Sequence, residues 1–191
     1  YVGLTHEYLH VEAPVLRLED AWFLDHACGS SRAEKVERDI RLLSAGLEAK
    51  PDNPRDLFYL AQTFKDAGRY PEAIETYTRR IAVGGWPEEA WYARYMLAVC
   101  LLRTGASEAF VDGCLKAYNA RPTRSEPLYA LARHYREIGQ SESCLLMCEM
   151  GARIAYPTGD QLFIDAGVYR TGFQEEASIC GFYCAAPDRK A

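Results

Sequence analysis

The residues with the most obvious chemistry open the chain. His6-Glu7-Tyr8-Leu9-His10 satisfies H-E-x-x-H, which on a helix sets two imidazoles on one face for zinc, with the glutamate as general base of a hydrolase. Pro14 would break that helix, no G-x-x-H follows, and a third ligand would have to be Glu12, Glu19 or another carboxylate. Glu19-Asp20 and Asp25-His26 offer metal ligands or a general base, although acidic loop residues are usually only solvated. Cys144 and Cys148, like Cys180 and Cys184, stand i, i+4 on a helix face and could form half a metal site. No second half with His or Cys at ligand spacing is visible. The seven cysteines include no C-x-x-C pair, so they read as small buried hydrophobes in a reducing, cytoplasmic compartment. His134, beside Tyr135, reads as a surface or groove histidine rather than a ligand.

The elements that position these groups are helical hairpins. Leu57, Leu60, Ala61 and Phe64 form one apolar stripe, Gly68 supplies a turn, and Ala73 and Tyr77 begin the returning stripe. Ala61 and Ala73 are small where two helices must approach closely. This is the tetratricopeptide pattern of about 34 residues. Residues 87–122 repeat it with Leu97, Ala98 and Leu101, a turn at Gly105, then Phe110, Cys114 and Ala117; Arg94 is a departure. Residues 125–157 repeat it again with Leu128, Leu131, Ala132 and Tyr135, Gly139, Cys144 and Cys148. The turn glycines are 37 and 34 residues apart. One hairpin cannot bury its own stripe, so the copies must stack. Trp86 and Trp91 read as packing between repeats, and Asp66, Arg69 and Arg124, near the turns, as surface charges.

Around this core, Val36, Ile40, Leu43 and Leu47 predict a helix over 32–50, the second half of an incomplete first hairpin. Residues 158–173 read as a long connection, and 174–184 as one more first helix whose partner is missing, suggesting truncation. Residues 1–27 read as short strands or an irregular hairpin. The fold class is therefore all-α: a tetratricopeptide-like solenoid, a right-handed superhelix over 32–191, behind a short β-containing remnant at 1–31. A net charge of −5 without a basic block argues against nucleic acid and anionic membranes, and no apolar run is long enough to span a membrane.

Several blocks are more specific than the repeat. THEYL at 5–9, DHACGSSRAEKVERDIRLL at 25–43, the run from Asn53 to Ala93, RPTRSEPLYALARHYRE at 121–137 and DQLFIDAGVYRTGFQEEASICGFY at 160–183 resemble the C-terminal part of family-2 glycosyltransferases that carry tetratricopeptide repeats. The resemblance implies a GT-A-type catalytic domain ahead of this region. It further implies a nucleotide-sugar donor, a glycan or protein acceptor, and a divalent metal (Mn or Mg) at the diphosphate. Carried over residue by residue, it makes His6 and His26 candidate metal ligands and Glu7 the candidate acceptor-binding or base residue. The family's Asp-x-Asp motif has no counterpart here, so the chain alone is expected to be inactive. The competing expectation is a stand-alone interaction module whose groove binds a peptide or protein.

Overall fold

The computed structural model describes residues 3–5, 12–13 and 32–185. His6, Glu7, His10, Glu19, Asp20, Asp25 and His26 lie outside the described residues. The zinc-hydrolase reading, the transferase-site reading and the strands of the first 31 residues lie there with them. Among the described residues every regular element is helical. The chain divides into two compact units, Tyr1–Val83 and Gly84–Ala191.

In the first unit α1 (Arg32–Ala49) packs on α2 (Pro54–Asp66), and α2 on α3 (Tyr70–Val83). Asn53 caps α2: its Oδ1 accepts from the backbone N–H of Arg55 and Asp56 at 3.1 and 3.4 Å. Pro54 follows at the first helical position, where its missing N–H costs nothing. Leu57, Phe58, Leu60, Ala61 and Phe64 are buried against Ala73 and Tyr77. Each large apolar side chain so buried stabilises the fold by roughly 1.5–3 kcal/mol. The Tyr77 hydroxyl donates to Gln62 across the hairpin.

The second unit contains α4 (Pro87–Arg103), α5 (Ser107–Ala120), α6 (Glu126–Glu137), α7 (Ser141–Gly151) and α8 (Phe173–Ala185). Hairpins α4/α5 and α6/α7 stack through α5 and α6, and α8 closes on α6 and α7. Phe110, Cys114, Leu128, Leu131, Cys144, Cys148, Phe173 and Cys180 share its core. Small residues set the closest approach: a Cβ on Gly113 would lie 2.8 Å from that of Ala98.

All three hairpins turn the same way. Gly68, Gly105 and Gly139 have φ between 74° and 85°. The next residue's N–H reaches back to Phe64, Leu101 and Tyr135 at 2.9, 3.0 and 2.8 Å, which is the Schellman closure that a left-handed glycine permits. The final helix starts earlier than its apolar pattern suggests. Helical backbone begins at residue 166 and passes through a π-helical turn, Val168–Gly172, into α8.

Candidate functional site

Within the second unit, residues of α4 and α6, the first helices of its two hairpins, line one groove. Helical spacing sets Glu88, Tyr92, Tyr95, Val99 and Leu102 in one row along α4. On α6 the matching row is Glu126, Ala130, Arg133 with His134, and Glu137. The two halves of this groove differ.

The N-terminal half is filled by the chain's own connector, residues 158–167. Asp160 accepts from Arg121 Nε at 2.8 Å. Glu88 Oε2 accepts from the backbone N–H of Gln161 and Leu162 at 2.8 and 2.9 Å. Arg124 donates to the carbonyls of Leu162 and Phe163 at 3.1 and 3.0 Å. Glu126 accepts from the Tyr169 hydroxyl at 2.8 Å, and that hydroxyl in turn accepts from Ser125 N–H at 3.1 Å. Phe163 rests on Tyr92, ring centroids 4.8 Å apart, with a φ of 46°. This left-handed backbone is costly for a bulky residue and persists where surrounding contacts over-determine it.

Arg124 is the hub and corrects the surface reading: its side chain is fully buried. Nε and Nη2 bond Glu126 at 2.8–3.1 Å and Nη1 bonds Asp160 at 3.3 Å; with the two carbonyls, this uses all five N–H groups. Burial alone would lower its pKa, but the hydrogen bond and charge of Glu126 raise it. The Asp160 carboxyl is held below the usual carboxylate range, first by its hydrogen bond to Arg121.

The C-terminal half is an open cleft of about 290 Å³. Tyr95, Val99 and Leu102 form one wall, Ala130 the other, and Phe110 the floor with His134 edge-on to it, centroids 5.1 Å apart. Tyr95 joins the halves: it is partly buried, and desolvation first, then neighbours that include Glu126 and Asp165, push its hydroxyl pKa well up. Arg103, Arg133 and Glu137 make the rim. Glu137 is shared between Arg133 at 3.7 Å and Arg136 at 3.9 Å, while Arg103 is exposed and makes no ion pair among the described residues. His134 thus occupies a groove, as expected, and is buried in it.

The other singled-out residues are structural. Trp91 is buried, its indole N–H donating to the Ala117 carbonyl at 2.8 Å, whereas Trp86 is exposed, which corrects its reading as packing between repeats. Asp66 and Arg69 are surface charges; Arg69 pairs with Glu72 at 2.8 Å. Cys144, Cys148 and Cys180 are buried thiols, pushed up by burial to about 11, about 11 and about 12. Among the described residues no His, Cys, Asp and Glu group of three or more could hold a metal ion, and no helix is long and apolar enough to cross a membrane.

The tetratricopeptide repeat family matches residues 58–125, and no curated protein matches the chain in sequence. Solved structures match it in fold. A crystal structure of MamA superposes with a TM-score of 0.55 at 18% identity, covering 88% of this chain and 99% of that one. MamA (41-end) from Desulfovibrio magneticus RS-1 gives 0.55 at 12% identity, covering 84% and 90%. YrrB, described as a TPR protein with an unusual peptide-binding site, gives 0.53 at 15% identity, covering 83% and 82%. The fold is a tetratricopeptide-like helical solenoid.

Proposed function

We propose that this chain is a peptide-recognition module whose binding surface is the α4/α6 groove. The observation that carries the reading is the connector. It lies along this groove with backbone N–H groups on Glu88 and carbonyls on Arg124, which is how a groove holds a peptide backbone whatever its side chains. Immediately beyond it the same helix rows flank an open cleft that combines apolar side chains with a charged rim, the composition of a recognition site. The peptide-binding site named for YrrB, which shares the fold, supports the same assignment.

The test is selection of binders from a displayed random peptide library, followed by titration. Val99→Trp should fill the cleft and abolish binding of the selected peptides with the far-UV circular dichroism unchanged. Retained affinity in that variant would place the site elsewhere.

A second reading keeps the resemblance to family-2 glycosyltransferases: the module recruits a protein or glycan acceptor for a nucleotide-sugar-dependent enzyme, with His6, Glu7 and His26 near a metal-bound diphosphate. Its support is the sequence blocks alone. Two of them, at 121–129 and 160–165, supply the two sides of the connector clamp, which gives them a structural reason of their own. Calorimetric titration of nucleotide sugars with manganese tests this reading: heat lost on His6→Ala and His26→Ala would favour it, and heat unchanged by both substitutions would count against it.

A further inference from the structure

We infer that the open half of the groove selects a short acidic segment carrying one bulky apolar side chain. The inference rests on the peptide-recognition reading and adds the chemistry of the partner.

Length follows from the connector, which occupies the groove as far as Glu126, whose carboxylate accepts from the Asp165 N–H at 3.4 Å; the open cleft then begins at Tyr95. From Tyr95 to Leu102 the α4 row spans about 10 Å at about 1.5 Å per residue. An extended segment rises about 3.3 Å per residue, so roughly three residues fit. The cleft, about 290 Å³, sits at the small end of ligand pockets, which begin at roughly 300 Å³. Tyr95, Val99, Leu102, Phe110 and Ala130 line it, and this surface suits one leucine- or phenylalanine-sized side chain.

Charge follows from the rim. Among the described residues Arg103 is without an ion pair, and the one carboxylate lining the cleft, Glu137, already faces Arg133 and Arg136. The mouth is therefore cationic in a chain whose net charge is −5. Carboxylates flanking the apolar residue would meet Arg103 and Arg133, where planar guanidinium groups can bind them bidentately. A basic segment would meet like charge and be rejected.

Fluorescence anisotropy on the full chain tests this with four labelled peptides in neutral Gly/Ser flanks: Asp-Leu-Asp, Asn-Leu-Asn, Lys-Leu-Lys and Asp-Ala-Asp. Asp-Leu-Asp should bind about tenfold or more tighter than each of the others, with affinity falling as salt rises. Arg103→Glu with Arg133→Glu should reverse the preference toward Lys-Leu-Lys, which a merely unfolded variant would not do. Equal binding of Asn-Leu-Asn and Asp-Leu-Asp would overturn the acidic assignment and leave the peptide module standing. Failure of all four, and of library-selected peptides as well, would overturn both.

Discussion

The guanidinium carbon of Arg124 lies 4.3 Å from the ring centroid of Trp91. Trp91 is itself fixed by its indole hydrogen bond to the Ala117 carbonyl. A buried cation stacked on an aromatic face, with its in-plane donors saturated by Glu126, Asp160 and two carbonyls, ties α4, α5, α6 and the connector at one point.

Removing that cation should therefore be costly. Arg124→Met would leave Glu126 and Asp160 buried without it, and breaking a buried pair from one side costs roughly 3–5 kcal/mol. Chemical denaturation should show the loss, and Arg124→Lys should recover little of it, since an ammonium cannot span both carboxylates and both carbonyls.

Acid should loosen the connector before the helices. The folded-state pKa of Asp160 is depressed, so its contribution is fully present above the ordinary aspartate value, about 3.9. It is lost as pH falls through the lower folded value. Hydrogen-exchange protection factors at 160–165, taken relative to the intrinsic rate at each pH, should fall below about pH 4, while the core of α6 stays protected. Asp160→Asn should show low protection at neutral pH and little further loss of protection in acid.

Gly151 and Gly159 should respond oppositely to alanine. A Cβ at Gly151 would fall 2.1 Å from Phe173 Cζ, whereas one at Gly159 meets nothing within 4 Å. Gly151→Ala should destabilise by about 1–3 kcal/mol through overpacking, with partial rescue by Phe173→Leu in a double-mutant cycle. Gly159→Ala should be neutral or slightly stabilising.

The core thiols should be inert in the folded state. Cys144, Cys148 and Cys180 are buried with pKa values of about 11, 11 and 12, so almost none is thiolate at pH 7.5. Iodoacetamide followed by mass spectrometry should label them only after denaturant is added. Rapid labelling of the native chain would contradict their packing role.

The hairpins could be read from the sequence because their signals are local. A 3.6-residue apolar period and a glycine that closes each helix lie within one repeat, and Ala61, Ala98 and Ala132 land on the same buried position. The connector clamp could not be read this way. Arg124 meets Asp160 across 36 residues, and Glu88 meets Gln161 across 73; no periodicity links such pairs. Arg124 near a turn therefore looked like a surface charge, although Trp91 and Glu126 make its burial possible. The RP-x-R-x-EPLY and DQLFID blocks carried the signal in another form, as a family resemblance, without indicating that they touch. The onset of the last helix was missed because Ala166 and Gly167 lack an apolar stripe, and the π-helical turn shifts the phase before Phe173.

The tether behind Phe163 gives the groove a ruler. Because the connector is covalently attached, it re-enters its half of the groove at an effective concentration of millimolar order or above. A partner that stops at Tyr95 faces no such competitor; one that reaches further must evict a segment that never diffuses away. Affinity should thus stop rising, or fall, once a ligand exceeds the open half, and the chain would sort its partners by where they end as much as by what they carry.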